Sequence, residues 1–238
     1  MRFLETALLT LPENLALDEA LLLDAEAGGP EVLRLWEWPS HAVVLGAGGR
    51  LADDVDEAAC QADIVPIARR SSGGGTVLLG PGCLLFSVIL RFDRDPALAE
   101  LHPSYRFILG YLQRSLNDVL PSPVTLQGSS DLTLGERKFS GNAQQRKRTH
   151  LLHHGTLLHA FDLSAVPRYL KAPPRQPEYR QQRDHTEFLT NLPVSVGTLT
   201  QAIREVWQAQ ETLETWPAQS VAQLLSEKYE REDWIRRR

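Results

Sequence analysis

Residues 69–77 form the sharpest local pattern in the chain, Arg-Arg-Ser-Ser-Gly-Gly-Gly-Thr-Val. Three consecutive glycines cost backbone entropy, so this segment requires positive φ angles or the close approach of another group to the backbone. Two interpretations stay open: a tight turn between strands, or a nest of backbone N–H groups around an anion with the Arg70 guanidinium beside it. A phosphate group suits the second. The endings that define a P-loop or a dinucleotide-binding turn are absent.

A second pattern, Lys-Phe-Ser-Gly-Asn-Ala, begins at Lys138 and is followed by His-His-Gly-Thr-Leu-Leu from His153. Side chains alternate along a strand, so we expect Lys138 and Ser140 on one face and Phe139 in the core. A lone strand lysine is commonly just solvated, but the small residues that follow leave room for a ligand beside the backbone. One of the two adjacent histidines is expected to be a core residue that is hydrogen-bonded to backbone.

Together these patterns resemble the lipoate-protein ligase family, part of the larger biotin and lipoate protein ligase group. The family pattern is Arg-Arg-x-Ser-Gly-Gly-Gly, an Asn-Asp or similar pair, Lys-x-Ser-Gly-Ser/Asn-Ala, and His-His-Gly-Thr-Leu-Leu. The matching positions are 69–75, Asp131, 138–143 and 153–158. Weaker agreement extends from 14–19 to 188–192, roughly the first four-fifths of the chain. Each motif alone is weak, whereas their shared order and spacing make the match specific.

The resemblance implies that lipoate or octanoate reacts with ATP to give acyl-AMP, and that a lysine of a lipoyl carrier domain then takes the acyl group. It implies Lys138 as the catalytic residue, stabilising negative charge on the carbonyl and on departing AMP. ATP and Mg²⁺ are the implied cofactors, with Asp131 as a candidate Mg²⁺ ligand. The implied substrate- and adenylate-binding residues are Arg70, Ser72, Gly73, Gly74, Gly75, Thr76, Asp131, Ser140, Gly141, Asn142, Ala143, His154, Gly155 and Thr156.

The sequence departs from the family pattern after the glycine segment. Leu79 and Gly80 stand where the family has His-Asp, and Cys83 stands where it has Asn. A polar contact is therefore missing from this side of the predicted site. We also expect no C-terminal accessory domain of the kind found in many such ligases, so a separate accessory protein is a candidate partner.

Two alternative functions stay open. An octanoyltransferase would need a reactive thiolate in the pocket, and of the two cysteines only Cys83 is near a motif, at the head of an apolar strand. A non-catalytic lipoyl-binding protein would fit the missing polar pair but not the retained Lys138. Biotin ranks below lipoate and octanoate because the Gly-Arg-Gly-Arg loop typical of biotin ligases is absent.

Composition bounds the class of protein. With 238 residues, 42% of them hydrophobic, the chain is expected to form a single catalytic domain over 1–238. We expect a cytoplasmic protein, with no signal peptide, no membrane span and no disulfide framework. A net charge of −5 argues against nucleic acid as a partner, but 137–183 carries ten basic residues against two acidic ones, a net +8 that would attract an acidic carrier.

A mixed α/β (α+β) domain must position these residues, with largely antiparallel sheets flanked by helices, as in biotin/lipoate protein ligase catalytic domains. Apolar periodicity predicts helices over 13–26, 53–61, 104–120, 199–212 and 220–234. It predicts strands over 32–38, 42–46 and 64–69, a hairpin from 76–79 and 84–92 around Gly-Pro-Gly, and several strands over 124–161. The Pro/Arg-rich stretch 171–183 is a predicted long loop. An apolar slot for the acyl tail is expected among the strands and first helix.

Overall fold

Two β-sheets of unequal size carry the strands of this protein. The computed structural model describes residues 1–173 and 176–237. The large sheet has the strand order β11-β1-β2-β6-β10-β9-β8-β7, and the small sheet has the order β4-β3-β5. The strands are β1 (Arg2–Glu5), β2 (Val32–Glu37), β3 (Ala42–Leu45), β4 (Ile67–Arg69), β5 (Val77–Leu79), β6 (Cys83–Arg91), β7 (Val124–Gln127), β8 (Asp131–Leu134), β9 (Arg137–Arg146), β10 (His150–Leu158) and β11 (Glu211–Thr212).

Helices lie on both faces of the large sheet. They are α1 (Leu11–Glu26), α2 (Leu51–Asp54), α3 (Glu57–Ala62), α4 (Leu101–Asn117), α5 (Val166–Tyr169), α6 (His185–Phe188), α7 (Val196–Val206), α8 (Ala218–Leu224) and α9 (Glu232–Ile235). None of those in the described ranges combines the length and apolar character needed to cross a bilayer.

The central strands of the large sheet are buried on both faces, so side-chain alternation sends neighbours into two different cores. In β6, Leu85 and Ile89 join α1 and the small sheet in one core, while Phe86 and Val88 join α4 and α7 in the other. Apart from the parallel pairing of β1 with β2 and β11, the large sheet is antiparallel. The predicted mixed α/β fold class is confirmed.

Helix α1 lies inside the molecule, against β6, β10 and α8. A capping box starts it: Thr10 Oγ1 accepts a hydrogen bond from the Glu13 amide at 3.3 Å, and the Glu13 carboxylate accepts one from the Thr10 amide at 2.7 Å. Because almost every face of α1 is covered, its polar residues Asn14, Asp18 and Glu19 are buried and must find partners within the protein.

The predicted hairpin over 76–92 is wrong. β5 pairs with β3 in the small sheet, whereas β6 pairs with β2 and β10 in the large one. The two strands separate after the turn. Gly82 has φ +80° and lies against the segment that follows β10, where a Cβ on Gly82 would be 2.2 Å from the carbonyl carbon of Ala160. The Gly-Pro-Gly segment therefore links two sheets.

The two C-terminal helices are shorter than predicted. The first ends at Val206, and a turn with Gln208 at φ +52° leads into β11, which pairs with β1. The second is interrupted by a wider π-type turn at Leu225–Tyr229. That turn directs Lys228 and Tyr229 toward Glu19 of α1, so long-range polar contacts override the local helical periodicity.

Smaller differences occur elsewhere. The predicted helix over 53–61 is split into α2 and α3, because Asp56 accepts a hydrogen bond from the Ala59 amide and starts a new helix. The strand predicted from residue 64 begins at Ile67, since Ile64 has φ +57°. Part of the predicted loop 171–183 forms a short 3-10 turn at Glu178–Arg180, and its residues 174–175 lie outside the described residues.

Candidate active site

The glycine loop, residues 71–76, connects β4 to β5. Gly74 has φ +86°, and a Cβ on Gly46 would be 2.1 Å from the Gly74 carbonyl oxygen, so the loop and the end of β3 are in close contact. The Arg70 guanidinium donates to the carbonyl oxygens of Gly73 (2.6 Å) and Gly75 (2.8 Å), and Nε donates to Ser72 Oγ (3.0 Å). Arg70 is buried and therefore braces the loop instead of extending a charge toward solvent.

Burial lowers the pKa of Arg70 to about 10, so it stays cationic at neutral pH. Its hydrogen bonds commit the loop carbonyls to the protein. In contrast, no described residue accepts a hydrogen bond from the backbone N–H groups of Gly73, Gly74 or Gly75. These amides are the donors available to an oxyanion.

Lys138 lies on β9 where the pairing with β8 is irregular. Thr133 pairs with Lys138 but Leu132 pairs with Ser140, so a β-bulge falls at Phe139, which is fully buried. The bulge brings Lys138 to the same side as Gly141, where a Cβ would be 3.0 Å from the Lys138 ammonium.

The glycine loop and the Lys138 strand converge on one cavity of about 170 Å³. Apolar residues make up part of its lining, namely Leu15, Trp36, Val44, Val77, Leu79, Leu85 and Phe86, and the buried polar residues Asp18 and Ser87 also line it. Predicted site residues form the rest of its lining together with Ser130, namely Arg70, Gly74, Gly75, Thr76, Asp131, Lys138, Gly141, Asn142, Ala143, His154, Gly155 and Thr156. The segments singled out in the sequence are thus neighbours in space, and an apolar slot opens between them.

A second cavity of about 340 Å³ adjoins the first, and both are lined by Gly75, Thr76, Val77, Ser130, Asp131, Lys138, Gly141 and Thr156. Its outer wall comes from the segment that contains α5 and α6. The cations lining it are Lys138, Lys171 and Arg180, together with His185, and the carboxylates are Asp54 and Asp131. Such a lining favours a polyanion that also offers surface for contact.

Asp131 connects the two cavities. Its Oδ1 pairs with Lys138 Nζ at 2.9 Å, and its Oδ2 accepts a hydrogen bond from the Tyr179 hydroxyl at 2.6 Å. Burial, and then the Asp131 charge, raise the pKa of Tyr179, which keeps it a donor. The Lys138 ammonium, with a quarter of its side chain exposed, is therefore held at the junction by a carboxylate that is itself fixed by the outer wall.

The two adjacent histidines lie on opposite faces of the large sheet, because they are successive residues of β10. Burial lowers the pKa of His153 to about 3, and its ring contacts the side chains of Gln144 (3.1 Å) and Asn142 (3.3 Å). The prediction of one core histidine is confirmed, but its partners are side chains, not backbone. His154 lies on the cavity side, between Ser72 (2.6 Å) and Asp18 (3.1 Å).

Ser72, His154 and Asp18 have the distances of a catalytic triad. Ser72, however, is only 1% exposed, does not line either cavity, and accepts a hydrogen bond from Arg70. It cannot reach a substrate, so the three groups form a structural chain. Asp18 was not among the predicted site residues; an acidic pair within the apolar run 15–23 of α1 is the signal that could have found it.

Two other predicted site residues act within the protein. Ser140 is buried, does not line either cavity, and accepts a hydrogen bond from Asn142 Nδ2 at 3.0 Å. Thr76 lines both cavities and donates to Asp54 Oδ2 at 2.7 Å. The expected strand alternation of Lys138 and Ser140 fails because of the bulge between them.

Neither cysteine lines a cavity. Cys60 and Cys83 are both buried, and burial raises the pKa of each thiol. Over residues 1–173 and 176–237, no group of three or more His, Cys, Asp or Glu side chains has a metal-binding arrangement.

Similarity to known proteins agrees with this geometry. The probable lipoate-protein ligase A of Mycoplasma pneumoniae is 31% identical over 173 residues, which is 70% of this chain but 49% of that protein. Octanoyltransferase LipM of Moorella thermoacetica is 26% identical, with 100% of this chain and 98% of that one aligned. The crystal structure of lipoate-protein ligase A bound with ATP has a TM-score of 0.78 at 25% identity, covering 99% of this chain and 98% of that chain.

The family model for the lipoyl protein ligase A/B catalytic domain matches residues 10–215. That range contains α1, the glycine loop, the Lys138 strand and the histidine pair. The chain belongs to the lipoyl protein ligase A/B catalytic domain family.

Proposed function

We propose that this protein is an ATP-dependent lipoate-protein ligase that forms lipoyl- or octanoyl-AMP and transfers the acyl group to a lysine of a lipoyl carrier domain. One observation carries the proposal: Lys138 lies where an apolar cavity meets a cationic one, beside the N–H groups of the glycine loop. A molecule with an apolar tail and a phosphate-linked head fits this pair of cavities. Residues 1–238 would act as a single catalytic domain.

The tail occupies the first cavity. Leu79 and Leu85 wall it, and each methylene buried there contributes about 0.8 kcal/mol. Leu79, which stands where the family pattern has histidine, is 1% exposed and belongs to the apolar core. The departure in sequence therefore makes this wall apolar.

In the first step a carboxylate oxygen of the acid attacks the α-phosphorus of ATP, and the bond to pyrophosphate breaks. Lys171 and Arg180, which line the second cavity, would stabilise the negative charge of the leaving phosphates. In the second step the carrier amine attacks the acyl carbon, the bond to the AMP oxygen breaks, and the amine loses a proton to solvent. The Lys138 ammonium and the glycine-loop amides stabilise the negative charge that develops on the carbonyl and AMP oxygens.

Mg²⁺ fits this arrangement as an ion that arrives with the nucleotide. It is commonly held by one or two carboxylates plus substrate phosphates, and Asp54 and Asp131 both line the second cavity. When bound, the ion would neutralise phosphate charge. Asp131 would then exchange part of its bonding to Lys138 and Tyr179 for the ion.

An octanoyltransferase is the second candidate, favoured by the full-length similarity to LipM. Thioester transfer requires a thiolate that can reach the acyl group. Both thiols here are buried, outside the cavities, with raised pKa values, which supports the ligase.

The test incubates the protein with lipoate, ATP, Mg²⁺ and an apo lipoyl domain, and weighs the domain by mass spectrometry. A lipoyl mass increment that depends on ATP is expected. Parallel reactions replace ATP and lipoate with octanoyl-carrier protein. An increment only in the second reaction would contradict the ligase and support the transferase. Lipoate binding with no increment in either reaction would support a non-catalytic binding protein.

The cysteine variants provide an independent control. Cys83→Ala and Cys60→Ala should retain ATP-dependent transfer, since neither thiol reaches the site. Loss of transfer in either variant, with normal folding by circular dichroism, would contradict the adenylate route.

The net +8 of 137–183 supports an acidic carrier surface as the partner. Docking of this kind weakens as salt screens the charges, so KM for the carrier should rise between low salt and 0.5 M NaCl while KM for lipoate stays constant.

A further inference from the structure

Hydrogen-bonded contacts link two neighbouring carboxylates on α1 to two neighbouring serines of the glycine loop. Asp18 and Glu19 are 3% and 5% exposed, so neither carboxylate is solvated by bulk water. Each reaches the loop through one intermediate side chain, supplied by adjacent strands of the large sheet. We define the first tether as Asp18, His154 and Ser72, and the second tether as Glu19, Gln145 and Ser71.

The first tether runs through β10. Asp18 Oδ2 lies 3.1 Å from His154 Nδ1, and His154 Nε2 lies 2.6 Å from Ser72 Oγ. Asp18 is itself fixed by Arg34, at 2.7 Å, and by Ser87, at 2.8 Å. Because Ser72 Oγ accepts from Arg70, its own hydrogen is left to donate to His154, and His154 in turn donates to Asp18.

The second tether runs through β9. Gln145 Nε2 donates to Glu19 Oε1 at 3.1 Å, and Ser71 Oγ donates to Gln145 Oε1. Glu19 Oε2 accepts from Lys228 at 2.7 Å and Tyr229 at 2.6 Å, so the C-terminal segment fixes the origin of this tether. Burial acts to raise the pKa of Glu19, but the hydrogen bonds from Lys228 and Tyr229 outweigh it and the pKa lies below its ordinary value.

Neither Gln145 nor Ser71 lines a cavity, and neither does Glu19. Their polar contacts therefore serve the loop and not the ligand. One attachment point would let the loop rotate about it, whereas attachments at two successive residues limit rotation as well as translation. The Gly73 to Gly75 amides follow directly.

We propose that the two tethers set the position of the glycine-loop amides, and that Glu19 and Gln145 are positioning residues acting through Ser71, while Asp18, which also lines the first cavity, anchors the first tether. The catalytic consequence rests on the proposed function, whereas the effect on the loop does not. Amides aimed at an oxyanion contribute only when held within about 0.5 Å of the productive geometry. Breaking one tether should therefore lower kcat more than it changes KM for lipoate.

The experiment compares Gln145→Leu, Ser71→Ala and the double variant with the native protein. The loop is monitored by NMR hydrogen exchange at the Ala47 amide, which donates to the Ser72 carbonyl at 2.7 Å. Exchange should be about 10-fold faster in each variant, the size expected for loss of one such hydrogen bond. The double variant should not exceed Ser71→Ala, because that change already removes the Ser71 contacts with both Gln145 and Tyr229. Transfer kinetics should show kcat lowered about 10-fold and KM for lipoate within 2-fold.

Gln201→Leu is the matched control, since Gln201 is exposed and contacts Glu205 within α7, which packs in the other core. It should leave Ala47 exchange and kcat unchanged. If Gln145→Leu loosens the whole protein, Ser71→Ala decides, as it removes only one hydroxyl. Native exchange at Ala47 in Ser71→Ala would overturn the proposal. That readout needs no turnover, so it stands even if the protein proves not to be a ligase.

Discussion

The two cavities that meet at Lys138 are built in different ways. The first is walled by α1, β2, β3, β5 and β6, and its apolar residues belong to a hydrophobic core. The second is walled on its outer side by short helices and loops within 166–173 and 177–189, and one of their contacts is that of Tyr179 with Asp131.

This difference indicates which of the two cavities is already formed before a ligand binds. Core packing fixes the acyl slot whenever the protein is folded. The outer wall of the second cavity is anchored in the same core through Val166 and Leu170, but its link to Asp131 is a hydrogen bond from Tyr179, which has a smaller free energy and can rearrange when a ligand enters. We therefore expect changes on the first side to affect stability and acyl binding, and changes on the second to affect nucleotide binding alone.

Lys138→Ala should have the largest effect, because Lys138 serves both cavities. The transfer rate should fall about 10² to 10³-fold, as is typical for loss of a well-placed donor to a developing anion. Single-turnover transfer measured by mass spectrometry checks this. Lys147→Ala, in the exposed β9–β10 turn, is the matched control. A decline of less than about 3-fold for Lys138→Ala would contradict an electrostatic role worth the expected magnitude.

Leu85→Ala tests the first cavity, which core packing is expected to fix before a ligand binds. Leu85 is 8% exposed and lines only the first cavity, so truncation should lower the free energy of unfolding by about 2–5 kcal/mol. Urea denaturation measures this, and calorimetry should show weaker lipoate binding with unchanged ATP binding. Leu9→Ala, at 93% exposure, should change stability by less than about 0.5 kcal/mol. Equal effects of the two substitutions would mean that the slot is not part of the core.

Tyr179→Phe tests the second cavity, whose outer wall is expected to rearrange when a ligand enters. It removes the hydroxyl that donates to Asp131 but keeps the ring that packs on Phe188. ATP affinity should weaken roughly 10-fold while lipoate affinity and unfolding free energy stay near native values. Isothermal titration with each ligand measures this, with Tyr111→Phe, on the opposite face of the large sheet, as control. A parallel loss of lipoate affinity would show that the two sides are not independent.

Burial of neutral His153 makes the free energy of unfolding depend on pH. Its folded pKa of about 3 lies below the value of about 6.5 expected in the unfolded chain, so the unfolded state binds the proton first. Stability should fall as pH drops below about 6.5, by at most about 1.4 kcal/mol per pH unit. Urea unfolding at pH 6.5 and 5.0 should show a smaller loss for His153→Gln than for the native protein. Identical losses would mean that His153 is not held neutral by burial.

Much of the site could be predicted from sequence because its chemistry is concentrated in short motifs. Gly74 needs its positive φ and Lys138 needs the small Gly141 beside it, and both requirements are visible in residue types. The roles of Arg70 and Ser72 could not be read this way. Whether a guanidinium faces a ligand or braces a loop depends on carbonyls supplied by the loop fold, which motif spacing does not contain.

The strand pairing also could not be predicted from local sequence patterns. Gly-Pro-Gly predicts a turn correctly, but the partners of β5 and β6 are chosen by contacts with β3, β2 and β10. The same holds for the final helices, where Glu19 draws Lys228 and Tyr229 across more than two hundred positions of sequence. These residues are distant in sequence, so a local pattern carries no record of their contacts.

The sequence by itself determined the family resemblance, the mixed α/β class, helix α1 and the residues around the acyl and phosphate positions, because residue type and short-range periodicity encode them. Only the tertiary structure decided the two-cavity layout, the bracing role of Arg70 and the tethers from Asp18 and Glu19. Burial of α1 is the physical reason: a covered helix must satisfy its carboxylates inside the protein, and the available donors came from strands remote in sequence.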